Sequence, residues 1–261
     1  MDYLIFQLQG PLAAWGDPAV GEYRGSADVP GESALIGLLA AALGIERENE
    51  AACAALREGY RFAVGVQEAG QLLRDYHTAQ VPGRVALKNR PHNSRRDELN
   101  MPREELNTIL STRDYRQNGA WMVAVQAQSN APYTLEMLAA ALHRPHFVLY
   151  LGRKSCPPAA PLHPRVMQSV SALQAFKDYL REIREKLCAV QAENKLKRLP
   201  LPEPGNIIRL SWGDGMTAGV EPTLTAPRKD RLIRRRGWHF GDRRENRAEL
   251  PPEKEETCIS A

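Results

Sequence analysis

The sequence predicts an α+β fold, and three observations carry that prediction. Hydrophobic residues alternate with a period of two over 62–66, and dense apolar runs at 3–9 and 120–127 are typical of buried strands. Apolar segments of helical length lie between them, at 34–43 and 135–142. The 261 residues, 43% hydrophobic and 25% charged, suit one large or two modest globular domains.

The N-terminal elements have local sequence signals. The strand at 3–9 is followed by Gly10 and Pro11, which indicate a turn. Ser33 is expected to cap the helix 34–43, and Gly44 to end it. Further elements are expected as a helix at 50–57, a strand at 60–66 and a short strand at 72–78.

A long basic insert, 79–118, separates these elements from the strand 120–127. Thr134 is expected to cap the helix 135–142, and a last strand is expected at 147–150. The resulting order is strand, helix, strand, insert, strand, helix, strand. This order matches a split βαβ or ferredoxin-like topology, an antiparallel sheet backed by two helices.

The composition changes after Cys156, where prolines become frequent. We therefore expect a first domain at 1–156 and a smaller C-terminal region at 157–261. Within that region, apolar spacings of three and four predict an amphipathic helix at 172–194. A basic strand region is expected at 228–247, followed by a frayed end from 251.

Charge is distributed unevenly along the chain, whose net charge is +4. Residues 1–71 hold four basic and ten acidic residues, whereas the rest hold 31 basic and 21 acidic ones. Basic residues concentrate at 74–116 and at 228–247, a distribution expected of a protein that binds a polyanion. A solvated charged face is the alternative explanation.

Several classes of protein are disfavoured by missing motifs. The sequence has no P-loop, dinucleotide-binding, zincin or α/β-hydrolase signature, and its four cysteines include no CxxC pair. His143 and His146 have no third ligand nearby, so we expect no metal and no cofactor. There is no signal peptide and no apolar run of about 20 residues, so we expect a cytoplasmic protein without membrane contact.

Candidate ligand-binding residues fall in three short segments. Tyr76 and His77 combine a phenol and a titratable base beside basic residues. The first loop offers Trp15, a core residue or a stacking platform, and Arg24. The segment after the last predicted strand combines a glycine with donors suited to phosphate and a stacking ring. Its residues are Tyr150, Gly152, Arg153, Lys154 and Ser155.

Four motifs, in the same order, resemble the CasD family of type I-E CRISPR surveillance complexes. They are LQGPLAAWG at 8–16, SALIGLL at 33–39, RDYHT at 74–78 and YLGRKSCP at 150–157. The resemblance implies a repeat-associated mysterious protein (RAMP) fold, in which a ferredoxin-like (RRM-like) domain carries an inserted β-hairpin, the thumb, at about 79–118.

The resemblance also implies a non-catalytic subunit that caps the repeat-derived 5′ handle of the guide RNA. The glycine-containing segment 150–155 would contact the handle, with Tyr76, His77 and, in the first loop, Arg24 nearby. Arg113 and Tyr115 would lie on the returning arm of the thumb. The implied neighbours are the backbone subunit, the large PAM-reading subunit and target DNA, so we expect a hetero-complex rather than a homo-oligomer.

Two other functions stay open from the residues alone. His77 and Tyr76 suit a metal-independent endoribonuclease that cleaves CRISPR repeat RNA, because such cleavage needs a general base and a cation near the phosphate. Alternatively, the basic surfaces serve a structural assembly protein with no direct RNA role.

Overall fold

The computed structural model describes residues 1–19, 21–88, 90, 93–193, 205–235 and 237–251. Residue 194 of the predicted helix, Arg236 of the basic region and the predicted frayed end from 252 onward lie outside this description. The described strands are β1 Asp2–Ala13, β2 Tyr23–Arg24, β3 Tyr60–Glu68, β4 Gln71–Pro82, β5 Leu106–Ala127, β6 Arg165–Gln168, β7 Arg209–Gly213, β8 Leu224–Arg234 and β9 His239–Glu249. The described helices are α1 Glu32–Leu43, α2 Glu50–Gly59, α3 Arg95–Leu99, α4 Leu135–His143 and α5 Ala172–Glu193, with a 3₁₀ turn at Arg103–Glu105.

All nine described strands belong to one sheet, which has the order β6-β1-β5-β3-β7-β9-β8. Neighbouring strands in that path are antiparallel. Along the chain, α1 lies between β1 and β3, and α4 lies between β5 and β6. The predicted mixture of helices with an antiparallel sheet is therefore confirmed. The same sheet contains strands from both sides of Cys156.

Both faces of the sheet are covered, and β1 shows how. Because side chains alternate along a strand, Leu4 and Phe6 point to the face covered by α1, α2 and α4. Tyr3 and Ile5 point to the opposite face, where they pack with Phe176 of α5. Within the described residues, no helix is both long and apolar enough to cross a lipid bilayer.

The helix ends agree in part with the sequence signals. Gly44 ends α1 with a φ of 76°, and Thr134 Oγ1 accepts a hydrogen bond from Met137 N at 3.3 Å. The expected Ser33 cap is wrong. The N-cap position is Gly31, and Asp230 Oδ2, on the distant strand β8, accepts from Glu32 N at 3.0 Å. A tertiary contact thus replaces the local cap.

The strand expected at 147–150 is also wrong, because this segment does not join the sheet. Its first amide and the preceding one bond α1 instead of a strand. Phe147 N donates to Ala41 O at 3.1 Å, and His146 N donates to Ala42 O at 3.0 Å. These carbonyls lie in the last turn of α1, where helices leave acceptors unsatisfied. The strand that lies beside β1 at this edge is β6, about fifteen residues later.

A two-stranded ribbon extends from the sheet. It consists of β4 and the first half of β5, paired continuously from Gln71 opposite Gln117 to Pro82 opposite Leu106. Twelve residues of strand span roughly 40 Å. The ribbon begins eight residues before the predicted insert at 79–118, and β5 continues without a break into the core. Exposed apolar side chains along the ribbon and its loop are Leu72, Leu73, Tyr76, Val85, Leu99, Ile109 and Leu110.

Candidate nucleic-acid interface

A cleft of about 700 Å³ opens over α1. We call the β8–β9 pair the C-terminal hairpin. One wall of the cleft is the segment 148–153, and another is the tip of this hairpin. Small α1 residues, Ala34, Gly37 and Ala41, lie between the walls and keep the floor low. A second cavity of about 750 Å³ shares residues of both walls and extends the groove to Lys154.

Four of the predicted residues line this cleft together, although the chain separates the first from the others by more than a hundred positions. They are Arg24, Tyr150, Gly152 and Arg153. Lys154 and Ser155 are exposed beside it. The structure therefore brings the first loop and the glycine-containing segment to one place.

Gly152 explains how the backbone turns at this wall. Its φ is 87°, in the left-handed region, and an added Cβ would lie 1.8 Å from Ala14 O. The turn is closed by Cys156 N donating to Arg153 O, and it is tied to β1 by Ala14 N donating to Leu151 O, both at 2.9 Å. The glycine thus lets the turn pack directly on β1 while Arg153 and Lys154 face outward.

Arg153 contacts two other predicted residues, Arg24 and Tyr115. Its Cζ atom lies 4.6 Å from the centroid of the Tyr115 ring, a cation–π contact. Its Nη2 donates to Arg24 O at 3.3 Å, and its Nη1 donates to Asp114 O at 3.4 Å. Arg153 forms no salt bridge with any described carboxylate, and neither do Arg24, Arg113 and Lys154. Positive charge at this surface is therefore not paired in salt bridges within the described part of the chain, although Asp17 also lines the cleft and Arg153 acts electrostatically on the Asp114 carboxylate.

Tyr76 and His77 do not form one site, because adjacent residues of a strand point to opposite faces. Tyr76 lies opposite Thr112 on β5, on the ribbon face that also carries Arg74. His77 lies opposite Ser111, on the face of Arg113 and Tyr115, with its Nδ1 atom 4.0 Å from Asp75 Oδ2. The second face is the one that continues toward Arg153.

Sequence reasoning missed a polar group at the base of the ribbon, formed by Tyr23, Arg74 and Asp114. Arg74 Nε donates to Asp114 Oδ1 at 2.9 Å, and the Tyr23 hydroxyl donates to Oδ2 at 2.6 Å. The hydrogen bond from Arg74 holds the pKa of the buried Asp114 carboxyl below its usual range, and the hydrogen bond to Asp114 raises the pKa of Tyr23. The group fixes β2 and β4 against β5. No local signal pairs residues 40 and 91 positions apart.

Trp15 is a correction to the predicted RNA-contacting set. Its side chain is 2% exposed and packs edge-on against Trp121, with ring centroids 5.2 Å apart. A ring without accessible faces cannot stack on a base. Trp15 is a core residue, which was the other possibility that its sequence context allowed.

Within the described residues, four of the eight arginines of the basic region 228–247 are engaged in an internal ionic network. Arg228, Arg243 and Arg247 all reach Glu245, while Arg243 also binds Asp230 with its Nε atom 2.6 Å from Oδ1. Burial alone would raise the pKa of Glu245, but Arg228 and the other two arginines lower it to about 2. Arg231 binds Glu32 in the same way.

This network leaves a smaller set of cations on the C-terminal hairpin. Lys229, Arg234, Arg235 and Arg244 form no salt bridge within the described chain. Arg235 lines the cleft. The basic run in the sequence therefore divides between arginines that hold the hairpin to α1 through Glu32 and Asp230 and cations without a salt bridge in the described chain.

Comparisons with known proteins agree on one family. The family model described as "CRISPR-associated protein (Cas_Cas5)" matches residues 3–244. The chain is 34% identical over 185 residues to the Escherichia coli (strain K12) protein named "CRISPR system Cascade subunit CasD", an alignment that covers 68% of this chain and 76% of that protein.

Solved structures show the same fold. A chain of a "CRISPR RNA-guided surveillance complex" superposes with a TM-score of 0.55 at 21% identity, covering 95% of this chain and 89% of that one. A "Crystal structure of Cas protein" superposes with a TM-score of 0.54 at 22% identity, covering 97% and 98%. By its sequence over residues 3–244, this chain belongs to the Cas5 family of CRISPR-associated proteins.

Proposed function

We propose that the chain is a non-catalytic subunit of a cytoplasmic type I-E CRISPR surveillance complex, Cascade, and that it binds and caps the 5′ handle of the guide RNA. The observation that carries this proposal is the cleft, because Arg24, Tyr150 and Arg153 line it together. Arg24 and Arg153 form no salt bridge with a described carboxylate and so suit phosphates, and the partly exposed Tyr150 suits a base. The similarity to the E. coli Cascade subunit supports the same assignment.

The strand arrangement supports the finer fold description. Strands β6-β1-β5-β3 are antiparallel, with α1 and α4 connecting strands that are not neighbours. We therefore describe residues 1–156, completed by β6 from the C-terminal region 157–261, as a ferredoxin-like RAMP domain. The ribbon is its thumb.

The exposed apolar side chains of the ribbon, such as Leu72 and Ile109, support contact with a neighbouring protein. We assign this contact to the backbone subunit of the complex. The large PAM-reading subunit and target DNA lie nearby in this proposal.

Strand geometry weighs against the endoribonuclease alternative. Tyr76 and His77 lie on opposite faces of the ribbon, so they do not flank one phosphate. The assembly-protein alternative has no direct RNA role and predicts that the isolated chain does not bind the repeat RNA.

A mobility-shift assay with labelled CRISPR repeat RNA, without added metal, tests the proposal. Arg153→Ala should weaken binding roughly 10- to 100-fold, because a charge-assisted hydrogen bond contributes about 1.5–3 kcal/mol. Arg181→Ala is the matched control, since Arg181 is exposed on α5, across the sheet from the cleft.

The same gels score cleaved RNA with the wild type and with His77→Ala. Intact RNA that is retarded by the wild type and less by Arg153→Ala is the expected result. Cleavage that disappears in His77→Ala would establish the endoribonuclease instead. Absence of retardation by the wild type would favour the structural assembly protein, and equal retardation by all variants would place the RNA contact outside the cleft.

A further inference from the structure

The tip of the C-terminal hairpin presents an exposed tryptophan. Trp238 is 60% exposed, and its φ of 51° is unusual for a residue other than glycine. Its amide donates to Arg235 O at 2.8 Å, which closes the turn. A large ring held outward on a constrained backbone suggests that it has a ligand.

The environment of Trp238 is aromatic and basic. Arg235 Cζ lies 4.6 Å from the centroid of the indole, and Phe240 lies nearly parallel to it, with ring planes 13° apart and centroids separated by 6.3 Å. Despite both contacts, Trp238 stays 60% exposed as a residue. An accessible aromatic face beside unpaired arginine is the arrangement with which proteins hold single-stranded nucleic acid.

The tip faces the cleft rather than open solvent alone. Arg235, Trp238 and Phe240 line the same cavity as Tyr150 and Arg153. Trp238 and Tyr150, 88 positions apart in the chain, therefore line one groove.

The tip is also fixed in place. Asp230, on β8, precedes Trp238 by eight residues and is 1% exposed. It accepts hydrogen bonds from Arg243 and from the amide of Glu32 at the start of α1. The ionic network thus anchors the hairpin to the floor of the cleft. A wall that is anchored in this way presents its ligand-binding residues with little reorganisation.

We infer that the hairpin tip is a second RNA-binding element, in which Trp238 stacks on a base of the guide RNA and Arg235 contacts an adjacent phosphate. This inference rests on the proposed function, since it concerns the same RNA in the same cleft. It adds a C-terminal wall to a site that motif resemblance places in the first 156 residues.

Tryptophan fluorescence gives a selective readout. Of the four tryptophans, Trp15, Trp121 and Trp212 are 2%, 0% and 6% exposed. Quenching by acrylamide in the full-length protein therefore reports mainly on Trp238. We expect a single-stranded RNA carrying the repeat-derived handle to protect the emission from acrylamide, and this RNA-dependent protection to vanish in Trp238→Leu.

The affinity of the same RNA, labelled at its 3′ end, is measured by fluorescence anisotropy. Trp238→Leu should weaken binding roughly 5- to 100-fold, the range expected for one base–aromatic stack, whereas Trp238→Phe keeps a stacking face and should bind within about threefold of the wild type. Arg235→Gln should also weaken binding. The matched controls are Leu224→Ala and Lys229→Gln, exposed positions on β8 outside the cleft.

Two other outcomes overturn the inference in different ways. Suppose that Tyr150→Ala weakens RNA binding, whereas Trp238→Leu binds as the wild type does and RNA does not change acrylamide quenching of the wild type. The inference about the hairpin tip is then wrong, and the proposed function stands. If the wild type does not bind the handle RNA, both are wrong.

Discussion

The C-terminal hairpin and the wall formed by residues 150–155 are both basic in sequence, yet they use their charges differently. In the hairpin, Arg228 and Arg243 are less than a tenth exposed and bind Asp230 and Glu245. At the segment 150–155, Arg153 contacts a ring and backbone carbonyls and forms no salt bridge with a described carboxylate. Arg228 and Arg243 therefore stabilise the fold, whereas Arg153 is available to a ligand.

The difference depends on where the acids are. Glu32, which binds Arg231, lies 199 residues away from it. A count of basic residues along the chain does not reveal such distant acidic partners. Similar runs of arginine can therefore either stabilise the fold through salt bridges or bind a ligand. Three experiments test this contrast, in order of decreasing effect.

The largest effect is expected from Asp230→Asn. This change removes one of the two buried carboxylates that Arg228 and Arg243 share, the other being Glu245, and breaking a buried ion pair costs about 3–5 kcal/mol. Guanidinium denaturation should show this loss of unfolding free energy. Asp242→Asn, at an exposed position of the same hairpin, is the control and should stay within about 0.5 kcal/mol. A loss below 1 kcal/mol in Asp230→Asn would remove the structural half of the contrast.

Acidification should weaken the hairpin next. The pKa of Glu245 is about 2 in the folded protein and near 4.5 when unpaired, so its stabilisation is complete above pH 4.5 and disappears as pH falls toward 2. The unfolding free energies of wild type and Glu245→Gln should therefore converge over this interval, by on the order of 3 kcal/mol. Urea unfolding at several pH values measures this. A constant difference between the two proteins would contradict the network.

The smallest effect is expected at the opposite wall, and it should appear in RNA binding rather than in stability. Lys154→Gln removes an exposed cation with no salt bridge in the described chain. We expect roughly 3- to 10-fold weaker binding of handle RNA and a salt dependence of log K that is shallower by about 0.7, the value for one phosphate on a single strand. Arg244→Gln, exposed on β9, should change neither quantity. Equal effects of the two substitutions would erase the distinction between the regions.

Local periodicity was enough to predict much of the fold. The alternation in β3, the dense apolar run of β1 and the capped helix α4 depend on neighbours within a few residues, and these elements are confirmed. The turn expected at Gly10 and Pro11 is wrong, because β1 continues to Ala13 in pairing with β5. The failures involve distant partners. Residues 147–150 are apolar enough for a strand, but the Phe147 amide bonds a carbonyl of the last turn of α1 instead. The edge strand is β6, which has four residues and therefore gives a weak sequence signal. The amphipathic helix is confirmed over Ala172–Glu193.

The candidate site was predictable where one short segment carried the whole signal. Gly152 followed by Arg153 and Lys154 indicates a tight turn with phosphate donors, and the structure places that turn at the cleft. Trp15 has an equally suggestive context, but its accessibility is decided by packing with Trp121. Trp238 beside a run of arginines was a visible signal, yet its position opposite Tyr150 depends on the fold of the whole C-terminal half.

The pairing partners of β1 and of the ribbon lie at very different distances along the chain, which affects folding during synthesis. The partners in the ribbon are separated by a loop at 83–105, so this hairpin can form while synthesis continues. In contrast, Leu4 of β1 pairs with Val125 and Val166. The apolar strand β1 therefore leaves the ribosome long before its partner strands, and its unpaired edge is exposed to aggregation during that interval. We expect nascent chains to depend on chaperones until β6 is complete.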